Sequence, residues 1–153
     1  MMTIAAAKPP KRILSMFGLF VLTAIVLACG GSNESNGSSV LIEQGNRIYA
    51  ESFQVCHGDA STGRGGVLNA PTHGPTGHTW HHADGQIKEI ILGTFDFPGK
   101  TMPAFADVLG DEDIDALLAY FKSNWDREQL EWQAEVSQNW IELKRVEGSA
   151  NSR

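Results

Sequence analysis

Gly58 to His82 carries glycine, proline, threonine and histidine throughout and reads as one long irregular loop; Asp96 to Gly110 reads as a second. Loops of that length leave only short helices to build a core. Long structureless loops inside a compact unit usually mean that something functional fills the space they enclose. The chain therefore needs an internal filler, and a buried cofactor would supply one.

Helical spacing dominates outside the loops, and no long alternating Val/Ile/Thr run follows Val40. Leu41, Gly45, Ile48 and Tyr49 share one helical face. Asp84 is placed to cap a short helix with Ile87, Ile90 and Ile91 on one side, stopped near Gly93. Asp111 or Asp113 is placed to cap a third, whose face is Ile114, Leu117, Leu118, Phe121 and Trp125. The neighbouring acids, with Asp107, Glu112 and Asp115, read as helix capping and solvated surface. A last amphipathic stretch runs from Asp126 to about Val146, with Leu130, Val136, Trp140, Ile141 and Leu143 as its apolar residues. The expected class is all-α.

The first 28 residues hold Lys8, Lys11 and Arg12, no acid, and an apolar run from Ile13 to Ala28. This pattern predicts a signal peptide over 1–28. It ends in Val26-Leu27-Ala28-Cys29-Gly30, which resembles a bacterial lipobox, so Cys29 is expected to be acylated and to anchor the chain to a membrane. The rival is an uncleaved anchor, although the run falls short of the ~20 residues a span needs. Residues 29–39 read as a flexible linker, 40–125 as the functional domain and 126–153 as a helical extension and tail. Beyond the leader, nine basic residues face 18 acidic ones. That balance argues against nucleic-acid binding, which needs clustered Lys and Arg.

The chemistry concentrates in Phe53-Gln54-Val55-Cys56-His57-Gly58. Cys56-His57 is the second half of C-x-x-C-H, the c-type haem attachment signature. A thiol adds across a porphyrin vinyl group to make a thioether, and the adjacent imidazole meets the iron. The second axial ligand is usually a soft thioether or another His. Met102, the only methionine outside the leader, stands in Lys100-Thr101-Met102-Pro103. Pro71 could place a carbonyl to accept the other N–H of His57, the bond that fixes a ligand's orientation.

Gly45 and Tyr49, Cys56-His57-Gly58, Met102-Pro103 and Leu117 to Lys122 follow one another as in the class I cytochrome c family, which the chain resembles over roughly residues 40 to 125. The resemblance implies a class I cytochrome c fold, short helices and long loops wrapped around one haem c, here with an extra C-terminal helix. It implies His57 and Met102 as axial iron ligands, Cys56 as the thioether residue, and outer-sphere electron transfer. Gly45 would let two helices cross closely, with Tyr49 and Tyr120 or Phe121 around the contact.

Phe53 occupies the position of the family's first haem-binding Cys, so a single thioether is expected. A one-cysteine F-x-x-C-H site is similar to that of some flagellate mitochondrial cytochromes c. The alternative is a one-base change from a Cys codon, by error or by loss of function. A retained, singly attached haem is the expectation, because both ligand positions and both framing helices are intact.

His73, His78, His81 and His82 form a second cluster. It reads either as a copper or zinc site, or as a loop packed over the haem with Trp80 inward and a His on a propionate. The expected function is a monohaem cytochrome carrying single electrons between membrane-associated redox partners outside the cytoplasm, with no small-molecule substrate. The rivals are an electron-entry subunit of an oxidase or reductase and a haem-free copper or zinc protein.

Overall fold

The computed structural model describes residues 33–67 and 70–151, and among these it is all-helical with no strand. The elements are α1 (Asn33–Ser52), α2 (Gln54–His57), a 3-10 turn (Thr79–His81), α3 (Asp84–Leu92), α4 (Asp111–Ser123) and α5 (Arg127–Asn151). The leader and Cys29 lie outside the described residues. Residues 33–39, expected as linker, belong to α1.

The core forms where α1 crosses α4. Tyr49 from α1 and Ile114, Leu117 and Phe121 from α4 are almost fully buried. Gly45 lies against the buried Ala116, and a Cβ added to Gly45 would run into the Ala116 carbonyl and come within 2.8 Å of the Tyr120 Cβ. Only glycine permits so close a crossing. Beside it the Tyr49 ring sits 5.4 Å from Tyr120 and 5.8 Å edge-on from Phe121, so both expected aromatic partners are used. Ile87 and Ile91 of α3 complete the core. Gly93 ends α3 in the left-handed conformation, φ 82°, where glycine is unstrained.

Helix starts depart from expectation by one residue or more. The N-cap of α3 is Ala83, so Asp84 is its first residue. The Asp84 carboxylate instead meets Lys122 Nζ and accepts from Gln133 Nε2, both at 2.6 Å. The N-cap of α4 is Gly110; Asp113 accepts its N–H at 3.0 Å, and Asp111 pairs with Lys88.

The extension helix is the larger correction. Leu130, Ile141 and Leu143 are exposed, while Gln129 and Gln133 are buried. The reason is the surface α5 covers: the loop after Pro75 and the start of α3 offer carbonyls and a carboxylate that would be costly to bury without donors. Gln129 Nε2 donates to the Pro75 carbonyl at 2.7 Å, and Gln133 Nε2 to Asp84 and to the His82 carbonyl. Ser137 Oγ accepts the Asp84 N–H. Polar demand, not apolar patterning, sets which side of α5 faces inward.

Candidate functional site

At Phe53 the first helix breaks, and the four-residue α2 restarts at once. The step leaves Cys56 exposed and turns His57 inward. The turn after it is tightly fixed. Gly58 has φ 74°, and a Cβ there would fall 2.5 Å from the Arg64 carbonyl oxygen. Tyr49 Oη donates to the Gly58 carbonyl at 2.7 Å, and burial raises the Tyr49 pKa above its ordinary value. Asp59 accepts from the backbone and hydroxyl groups of Ser61 and Thr62, and these bonds, the Ser61 hydroxyl first, lower its carboxyl to about 2.

His57 Nδ1 lies 2.7 Å from the Pro71 carbonyl oxygen. A carbonyl can only accept, so Nδ1 carries a proton, and in the neutral imidazole Nε2 keeps its lone pair. His57 lines a cavity of about 570 Å³. Phe53 and Cys56 line it on the same side, Ile87, Ile90 and Ile91 from α3, and Met102, Pro103 and Phe105 from the loop before α4. That loop is tied down by Phe105 N–H to the Ile91 carbonyl at 3.0 Å and by Lys100 Nζ to the Phe95 carbonyl at 3.0 Å. Met102 is half-buried and packs against the core. The structure thus brings Phe53, Cys56, His57, Pro71 and Met102 to one cavity.

Phe53 is 2% exposed, stacked on Phe105 at 4.7 Å and on Tyr49 at 6.2 Å. It therefore belongs at once to the core and to the cavity wall.

The histidine cluster divides. His73 packs at 4.4 Å from both the His57 and the Phe121 rings, and its Nδ1 pairs with Thr79 Oγ1 at 2.7 Å. Burial, then the neighbouring His57, pushes its pKa down to about 3, which keeps it neutral. Trp125 Nε1 holds its carbonyl at 2.8 Å. His78, His81 and His82 stay together, with His78 4.6 Å from His81 and 5.1 Å from His82. Among the described residues no three His, Cys, Asp or Glu side chains are placed to hold a metal ion. The copper or zinc reading is left without a ligand set there. Trp80 is partly buried against the core, its Nε1 donating to the Gly77 carbonyl.

Sequence reasoning missed the separate place of His73, since nothing in its neighbours distinguishes it from the other three. It also missed Phe105 as the ring that covers Phe53. An aromatic three residues past Met102 was the available signal.

A mostly apolar cavity with an exposed thiol, an imidazole and a thioether sulfur among its lining residues fits a haem. The family described as cytochrome C oxidase, cbb3-type, subunit III matches residues 40–121. No solved structure matches the chain.

Proposed function

This chain belongs to the cytochrome C oxidase, cbb3-type, subunit III family, a c-type cytochrome family with an electron-transfer role, and on that premise we propose that it carries single electrons through one haem c attached by a single thioether at Cys56. His57 and Met102 would hold the haem iron in this reading. The observation that carries it is the 2.7 Å contact of His57 Nδ1 with the Pro71 carbonyl, in a residue that lines the same cavity as Met102.

When bound, the haem supplies a one-electron Fe(III)/Fe(II) couple. The chain's own residues do the rest. Pro71 orients the His57 ring through its carbonyl. Met102, a soft donor, favours the reduced state relative to a second His. Ile87, Ile91, Phe53 and Phe105 keep the cavity wall apolar and exclude water. Phe53 takes the place of a second attachment point with apolar contact alone, worth ~1.5–3 kcal/mol for a side chain of this kind when buried.

The redox partners are proteins, one of them an oxidase complex in which this chain is the point of electron entry; the family's own description favours that arrangement over a free shuttle. Work outside the cytoplasm, with a lipid anchor at Cys29, is supported by the leader sequence. Among the described residues no helix is long and apolar enough to cross a membrane.

The test is a pyridine haemochrome spectrum of the chain coexpressed with a maturation system that accepts one cysteine, taken after acid-acetone extraction. Haem should stay with the protein, its α band between those of doubly attached and unattached haem, and Phe53→Cys should move the band to the doubly attached position. A colourless extracted protein would sink the covalent reading. An unmoved band in a Phe53→Cys variant that retains its haem would remove Phe53 from the attachment position.

A further inference from the structure

The first turn of α5 is locked by a reciprocal pair: Asp126 Oδ1 accepts the Gln129 N–H at 2.9 Å, and Gln129 Oε1 accepts the Asp126 N–H at 3.1 Å. With Gln129 also bound to the Pro75 carbonyl, this turn stands fixed beside the 3-10 turn. Three rings meet there. His81 stacks on Trp80 with centroids 3.6 Å apart, and meets the Trp132 ring at 6.3 Å and 70°. Those rings, with Asp126, Glu128 and Gln129, line a second cavity of about 390 Å³.

Its chemistry is that of a cation receptor. The faces of Trp rings carry negative potential, and an ammonium or guanidinium group is held over them within about 6 Å of the centroid. Two carboxylates sharing the lining add charge of the same sense. The Glu128 side chain makes no hydrogen bond or ion pair among the described residues, and Trp132 is 51% exposed. His81 already covers a face of Trp80, so the exposed Trp132 ring and the Glu128 carboxylate are the parts of the lining open to a positive group.

We propose that this recess is a docking site for a Lys or Arg side chain of a redox partner protein. Three observations favour a protein over a free small cation. The chain carries a net charge of -6, which steers a basic surface towards it. Trp132, which lines the recess and is 51% exposed, offers apolar contact that a lone ammonium ion would not cover. Trp80 also packs against the core, and its neighbours Thr79 and His82 line the larger cavity. A partner held at the recess is therefore brought against the wall of the proposed haem cavity. The choice of partner rests on the electron-carrier reading; the recess itself does not.

The test uses the full haem-loaded chain labelled with ¹⁵N, titrated with acetyl-tetralysine amide while the indole N–H signals of Trp80 and Trp132 are followed. The signals should shift saturably with this peptide and not with the tetraglutamine analogue. Trp132→Ala and Glu128→Gln should each weaken the binding by roughly 3- to 10-fold. Glu128 is exposed, so its variant keeps the fold whatever happens at Trp132. No saturable shift, or binding by both variants as tight as by the unaltered chain, overturns the proposal. Tetramethylammonium chloride binding as tightly as the peptide overturns it as well, in favour of a small-cation site. The α band of the haemochrome is unchanged in both variants, so loss of peptide binding is separable from failure of the haem reading.

Discussion

Asp59 shows how much a single side chain fixes in this molecule. Its carboxylate collects the Ser61 and Thr62 donors and so shapes the turn directly after His57. Because its folded value of about 2 lies below its ordinary 3.8, its contribution to stability is complete above about pH 4 and is lost as the pH falls towards 2. The Asp59 carboxyl carbon should titrate near pH 2, and Asp59→Ala should abolish the acid-linked change in the amides of Ser61 to Arg64. A midpoint near 4 would mean that these bonds do not hold in solution. At this scale the sequence was legible wherever residue type dictates chemistry. The adjacency of Cys56 and His57 and the isolation of Met102 could be read directly. It was illegible where a role depends on a partner far along the chain, as with His73 on Phe121 or Gln133 on Asp84.

Elements owe their places to a few close approaches. At the α1–α4 crossing the backbones touch at Gly45 and Ala116, so Gly45→Ala must push the helices apart or bend one. The expected cost is about 1–3 kcal/mol or more, seen as a lower denaturant midpoint at nearly constant slope. An unchanged midpoint would mean that the crossing is looser than described. The helices themselves follow from apolar spacing, and three of the expected faces appear in the structure, on α1, α3 and α4. Caps were less readable, because aspartate stabilises a first turn from several positions: Asp113 serves Gly110 from inside the helix, and Asp84 serves α5. The inward side of α5 could not be read from periodicity, since its docking surface is a loop whose carbonyls have no signature in the sequence.

For the whole molecule the governing fact is the cavity between α1–α2, α3 and the Met102 loop. Its walls are mostly apolar side chains that the folded chain alone leaves apart. The haem-free chain should keep its far-ultraviolet helical signal, bind a hydrophobic dye and melt broadly; attachment should raise the midpoint by roughly 10 °C or more and sharpen the transition. Equal melting of the two forms would mean that the loops pack without a filler. The length of those loops already indicated an enclosed group. What they could not indicate is the second recess, because Trp80 and Trp132 stand 52 residues apart in the chain and meet only once α5 has folded back.

That return of α5 also gives the molecule two kinds of seam with opposite responses to temperature. The α1–α4 crossing buries rings and methyl groups, and such contacts weaken on cooling because apolar hydration carries a large positive heat capacity. Between Gln129 and Ser137 the α5 seam buries amides, carbonyls and a carboxylate, whose exposure changes the heat capacity in the opposite sense. Cold therefore loosens the centre before it loosens the strap, and the extension helix stays seated over the loop that carries Trp80 under conditions that begin to relax the core behind it.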